Sequence, residues 1–180
     1  MTFFNIKHNA KIMTDDYPGH QSLKNELVPL LENYSDIQDR NTRVKGTMTE
    51  WNWLPERMCV QELKLYVLKN IKKHYTLRYT NTEYTDDNVM NHVGGVVVDF
   101  WGNVYHKGDY AESHKHWPHH YGFVYFLKSK WYNSPLVFND SGKRIFPKEG
   151  TYVLFPSYFL HHVPKHRFNE TRMTLSGNLV

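Results

Sequence analysis

Four histidines fall within seven positions of SHKHWPHHYGFVYFL, residues 113–127, just before an aromatic and β-branched run. In a strand, residues i and i+2 point to one face, so His114 and His116 aim two imidazoles into the same space, about 7 Å apart along the backbone. Two imidazoles grip a divalent transition metal only with at least one further ligand. The segment LFPSYFLHHVP offers one: an apolar strand, Tyr152–Phe155, runs into a loop and delivers His161 and His162. If that strand lies beside the one carrying His114 and His116, three imidazoles occupy one face of a metal and leave its other positions open to small molecules. Such a site suits non-haem iron, which binds dioxygen and an oxidisable co-substrate there, while zinc remains chemically open.

Other polar residues near this pattern divide by context. His119 and His120 follow Pro118 in the expected loop after the metal strand, bordering a substrate opening, and are candidates for its substrate side. His8, His20, His74, His92 and His166 read as surface or hydrogen-bonded structural histidines. Asp99 and Asp140 qualify as carboxylate ligands on composition alone, but position weighs against both: one lies a strand away in sequence, the other in the turn FNDSGK. Trp117 and Trp131 read as pocket wall or core.

The elements that must position these residues are legible in outline. Leu23, Leu27, Leu30, Leu31 and Tyr34 follow an amphipathic helical spacing, with Pro29 predicting a kink or a late helix start. A second helix follows Pro55, carrying Val60, Leu63, Val67 and Ile71 on one face. Between them RVKGTMTEWNW alternates bulky residues as a strand does. From about residue 93, VGGVVVDF, YGFVYFL, PLVFND, TYVLFPSYFL and RMTLSGNLV are short β-branched and aromatic runs divided by turn residues. The fold class is therefore α+β, mainly β: a double-stranded β-helix, or jelly roll, braced by amino-terminal helices. Residues 1–180 form a single domain, with a helical and mixed lead-in over 1–92 and the jelly-roll core over 93–180.

Composition sets the outer bounds. A chain of 180 residues buries enough surface to fold without disulfides or structural metal, so a metal would serve chemistry. The lone Cys59 sits in a helical pattern as a small hydrophobe. Mean hydropathy is −0.66 and no apolar run approaches the ~20 residues of a membrane span. The opening residues lack the features of a signal peptide, and the expected location is the cytoplasm. A net charge of +4 and a pI of 9.0 argue weakly for an anionic partner, without a basic tract that would make a nucleic-acid arm.

The segments NVYHKGDYAESHKH, YGFVYFLKSKW, PLVFND, EGTYVLFPSYFLHHV and TRMTLSGN, in this order over residues 93–180, resemble the Fe(II)- and 2-oxoglutarate-dependent oxygenases. The likeness is to the prolyl-4-hydroxylase-like branch, in particular the small oxygenases of bacteria and tailed bacteriophages, for which the compartment would be the host cytoplasm. The resemblance implies His114, His116 and His161 as metal ligands, Arg172 as the anchor of the distal carboxylate of 2-oxoglutarate, and Thr174 as its hydroxyl neighbour. It matches Asn103 and Tyr105 to an N-x-Y that contacts the co-substrate in some branches, including AlkB-like demethylases. Two departures stand out: His116 occupies a place usually held by a carboxylate, and Phe126 replaces a tyrosine, with Tyr125 on the opposite face.

The implied activity is a dioxygenase that uses Fe(II), 2-oxoglutarate and dioxygen to hydroxylate a substrate, releasing succinate and carbon dioxide. Peptidyl or free amino acids and other small molecules are the expected substrates, with nucleic acid the lesser option and no membrane partner. Two rival readings are a cupin-like three-histidine metalloenzyme independent of 2-oxoglutarate and a catalytically silent jelly-roll binding or structural protein. Retention of all three histidines together with Arg172 weighs against the silent reading, and Arg172 with Thr174 against the cupin-like one.

Overall fold

The β-branched runs form two antiparallel sheets that face each other in the computed structural model, which describes residues 11–34, 42–54, 56–75 and 97–179. In chain order the elements are β1 (Met13–Asp16), α1 (His20–Glu32), β2 (Val44–Lys45), β3 (Thr47–Met48), α2 (Met58–Tyr75), β4 (Val97–Tyr105), β5 (Tyr110–His114), β6 (Tyr121–Lys128), β7 (Leu136–Phe138), β8 (Arg144–Ile145), β9 (Thr151–Pro156), β10 (His161–Val163) and β11 (Arg172–Leu179). The larger sheet runs β1-β9-β6-β11-β4-β3 and the smaller β2-β5-β10-β7-β8. This is the expected double-stranded β-helix with helices on one side.

Strand alternation sorts the side chains into two cores. On the outer face of the larger sheet, Phe123, Tyr125, Leu127, Tyr152, Leu154, Met173 and Leu175 pack against Leu23, Leu27 and Leu31 of α1 and Val60, Leu63 and Val67 of α2. Complete burial of each leucine stabilises the fold by roughly 1.5–3 kcal/mol relative to exposure. On the inner face Val124, Phe126, Val153 and Phe155 meet Leu136, Phe138 and Val163 of the smaller sheet. β11 follows the same rule with a different consequence: its inward residues are Arg172, Thr174, Ser176 and Asn178, all buried and all polar. A polar stripe therefore lines the space between the sheets.

Several expectations need correction. Pro29 lies inside α1, one turn before its end, and the helix begins at His20, so there is no late start; Leu30 is exposed and falls off the apolar face. RVKGTMTEWNW is not one strand but two dipeptide strands, β2 on the smaller sheet and β3 on the larger, parted at Gly46. β1 was not anticipated, because three of its four residues are exposed and it only extends the edge beside β9. Trp131 is 78% exposed, edge-on to Tyr132, and is neither core nor pocket wall. Pro55, His8, His92 and the junction of lead-in and core at 92–93 lie outside the described residues.

Cys59 is buried in α2, where desolvation pushes its thiol up to about 11. His20 bonds the Tyr125 hydroxyl at 2.7 Å and the buried His166 bonds the Glu170 carbonyl at 2.7 Å. Among the described residues no helix is long and apolar enough to cross a membrane.

Candidate metal centre

The three histidines converge from two strand ends and a loop. His114 closes β5, His161 opens β10, and the two are Cα partners across the antiparallel ladder. His161 thus comes from its own short strand in the smaller sheet; β9, the strand expected to carry it alongside β5, lies in the other sheet. His116 lies two residues beyond β5, so a shared strand face does not account for the pair. Its main-chain N–H donates instead to the Ser157 carbonyl at 2.8 Å, which brings the chain back over the site.

The resulting geometry is tight. One ligand atom from each of His114, His116 and His161 lies within 4.8 Å of the others, and the Nε2 atoms of His116 and His161 are 3.3 Å apart. His114 Nδ1–H donates to the Glu112 carbonyl at 2.7 Å and His161 Nδ1–H to the Phe159 carbonyl at 2.9 Å. His116 Nδ1–H donates to Asn178 Oδ1. With every Nδ1 proton engaged, all three Nε2 atoms carry lone pairs. Two such acceptors facing each other at 3.3 Å call for a cation between them. Burial favours the neutral rings: desolvation, with the neighbouring imidazoles adding to it, pushes His161 down to about 2 and His116 to about 4, and His114 is lowered chiefly by desolvation. The donor set therefore fits a divalent metal at neutral pH. His162 points elsewhere, bonding Asn139 Oδ1 at 2.8 Å.

Behind the triad, Arg172 opens β11 with 1% exposure, and among the described residues none of its three guanidinium nitrogens has a hydrogen-bond partner within bonding geometry. Its Cζ lies 4.8 Å from the Tyr105 ring centroid and 5.6 Å from that of Phe126, and burial lowers its pKa. Aromatic faces hold the plane of the fork, but they leave its N–H groups orphaned, a cost that a bidentate anion would remove. Thr174 is buried on the same face, and Asn103, its Cα partner on β4, donates to the Thr174 hydroxyl at 3.3 Å and the Ser176 hydroxyl at 3.1 Å. The Asn103 Oδ1 is buried without a hydrogen-bond partner among the described residues, and Tyr105 is the Cα partner of Arg172. Arg172, Thr174, Tyr105 and Asn103 therefore line the same narrow inner chamber as the three histidines.

That chamber shares Val44, Trp101, His114 and His116 with a cleft of about 680 Å³ leading to the surface. Trp51, Trp117 and His119 line the cleft; His120 is exposed and does not, its main-chain N–H being bonded to the Leu179 carbonyl at 2.8 Å. Sequence reasoning missed Trp101, whose ring stacks on His116 at 6.0 Å, and the role of Asn178 and Asp99 behind that ring. The one available signal was the polar alternation Arg172, Thr174, Ser176, Asn178 along an otherwise apolar strand.

No protein-family model and no curated protein matches this sequence. Solved structures do match in fold. The viral collagen prolyl hydroxylase of Paramecium bursaria Chlorella virus-1, in its 2-oxoglutarate complex, superposes with a TM-score of 0.67 at 12% identity, over 93% of this chain and 94% of that one. A Pseudomonas putida prolyl-4-hydroxylase gives 0.66 at 16% identity, over 95% and 92%. A Trichoplax adhaerens prolyl hydroxylase, in complex with a hypoxia inducible factor peptide fragment, gives 0.67 at 15% identity, over 95% and 84%. The chain has the fold of the prolyl hydroxylases.

Proposed function

We propose that this chain is an Fe(II)- and 2-oxoglutarate-dependent dioxygenase that hydroxylates a peptide, an amino acid or another small molecule. The observation that carries the reading is Arg172: a fully buried guanidinium with no hydrogen-bond partner among the described residues, in the same chamber as three neutral imidazoles. An unpaired buried cation is costly, and a dicarboxylate spanning from metal to arginine offsets that cost in one ligand. His114, His116 and His161 would hold the iron through Nε2, and Arg172 with Thr174 would receive the far carboxylate, flanked by Tyr105 and Asn103. Bound iron, 2-oxoglutarate and dioxygen supply oxygen insertion into a C–H bond, with succinate and carbon dioxide as co-products.

The residues of the chain do the positioning. The aromatic pair Tyr105 and Phe126 orients the guanidinium plane, and Trp51, Trp101 and Trp117 give the substrate cleft flat walls. His119 lines that cleft and remains a candidate on the substrate side; His120, outside it, does not. A peptide is supported by the cleft's openness to the surface and by the fold shared with an enzyme solved with one. The test is succinate release by Fe(II)-loaded protein with 2-oxoglutarate, alone and with peptides, free amino acids or DNA. The expected outcome is slow succinate formation without substrate, stimulation by a peptide or amino acid, and none in His161→Ala. A metal-loaded protein that neither binds nor consumes 2-oxoglutarate would favour the cupin-like reading, and one that binds no metal would favour the silent jelly roll.

A further inference from the structure

His114 and His161 have their tautomers set by main-chain carbonyls, whereas His116 is held by a side chain that is itself held. Asp99 on β4 and Asn178 on β11 are Cα partners across the larger sheet. The Asn178 amide nitrogen donates to Asp99 Oδ2 at 2.8 Å. An ionised carboxylate only accepts, so this bond orients the amide and leaves its oxygen facing the other way, where it accepts from His116 Nδ1–H. An amide oxygen cannot donate; the His116 proton therefore sits on Nδ1 and the lone pair on Nε2, toward the triad. The ring is otherwise positioned by Trp101, stacked at 6.0 Å, and by the edge of Phe155 at 5.5 Å, neither of which selects a tautomer. His119 Nε2 also approaches Asp99, at 3.5 Å.

We propose that Asp99 and Asn178 form a hydrogen-bonded relay that fixes His116 as a ligand and supplies, one amide removed, the negative charge that a three-histidine site lacks. The proposal rests on the metal-centre reading above. Three neutral ligands leave the charge of a divalent cation uncompensated; a carboxylate polarising an imidazole through its far nitrogen raises that imidazole's basicity. Asn178 is a positioning residue: it reaches the metal only through His116, and Asp99 acts only through Asn178.

The test is anaerobic titration of the metal-free protein with Fe(II) or Mn(II), without 2-oxoglutarate or substrate, together with the visible absorption of the Co(II)-loaded protein. Asn178→Leu is expected to weaken metal binding about 10- to 100-fold, and Asp99→Asn by a smaller factor, about threefold to tenfold. Asn178→Asp combined with Asp99→Asn, which places a carboxylate directly on His116 Nδ1–H with an amide donor behind it so that no two carboxylates meet, is expected to restore both the affinity and the Co(II) spectrum that Asn178→Leu loses. Adding Asp99→Asn to Asn178→Leu is expected to cost nothing further, because the path is already cut. Unchanged affinity in Asp99→Asn, or additive losses in the double variant, would overturn the relay while leaving the metal site standing. Wild-type protein that binds no metal would overturn the metal centre itself. Should Asn178→Leu fail to fold, Asp99→Asn and the Asn178→Asp/Asp99→Asn pair still decide.

Discussion

At the scale of single residues, the chemistry of the site was readable where residue type alone restricts function. The His114–His116 pair and Arg172 are such cases: convergent imidazoles and a lone late arginine among apolar strand residues have few uses. The choice of His161 over His162 rested on the resemblance and was not readable from the residues alone, because both follow the same strand and only the register of β10 decides which enters. His161→Ala is expected to abolish stoichiometric metal in an anaerobic Fe(II) titration, whereas His162→Ala, which loses only a bond to Asn139, leaves it intact. The reverse pattern would mean that the site is assembled from the wrong neighbour. Burial of these imidazoles also makes a stability prediction for the metal-free protein. Both His116, near 4, and His161, near 2, sit below the ordinary histidine value of about 6.5, so below that pH the unfolded chain takes up protons that the fold refuses. Their contribution is fully present above about pH 6.5 and falls with pH, each losing about 2 kcal/mol by pH 5. Urea unfolding at pH 7 and pH 5 measures it, and His161→Asn should flatten the slope by its share.

At the scale of elements, alternation in β6, β9 and β11 was the strongest signal in the chain, since each strand separates a helix-facing from a pocket-facing set. What alternation cannot show is close approach. Gly122 is an example: a Cβ there would lie 2.9 Å from His116 Cγ and 2.9 Å from Phe155 Cε2, so the bare backbone of β6 makes room for the His116 ring. Gly122→Ala is therefore expected to push His116 off its place and weaken metal binding by about tenfold, the scale of other disturbances just outside a metal's ligands. Affinity equal to wild type would show that the ring has slack. Gly102 makes the opposite contact, on the outer face, where a Cβ would lie 2.6 Å from Leu31 Cδ2. The packing of α1 belongs to that outer face and not to the site. Leu27→Ala should cost about 2–5 kcal/mol in a urea melt while the folded protein keeps its metal affinity. β1 and the split of β2 from β3 escaped the sequence for a physical reason: edge strands of two to four residues are too short to carry a hydrophobic period.

At the scale of the whole molecule, two apolar cores enclose one polar stripe, and everything chemical lies along it. The larger sheet supplies Arg172, Thr174, Asn103 and Asn178, the smaller supplies His114 and His161, and the loop between β5 and β6 closes His116 over them. The order of the motifs along the chain was enough to anticipate the jelly roll, because short β-branched runs parted by turn residues specify packed sheets even where the shortest strands, β8 and β10, escape notice. It was not enough to anticipate the cleft, whose walls Trp51 and Trp117 come from loops far apart in sequence. The central claim is that this architecture binds a metal and a dicarboxylate together, and calorimetric titration of 2-oxoglutarate into anaerobic Mn(II)-loaded protein tests it most directly. The expected result is stoichiometric binding in wild type, unchanged Mn(II) affinity in Arg172→Lys, and 2-oxoglutarate affinity reduced about tenfold to hundredfold there, the ~1.5–3 kcal/mol of one charge-assisted hydrogen bond. No 2-oxoglutarate binding in the metal-loaded wild type, or equal binding in Arg172→Ala, would contradict it.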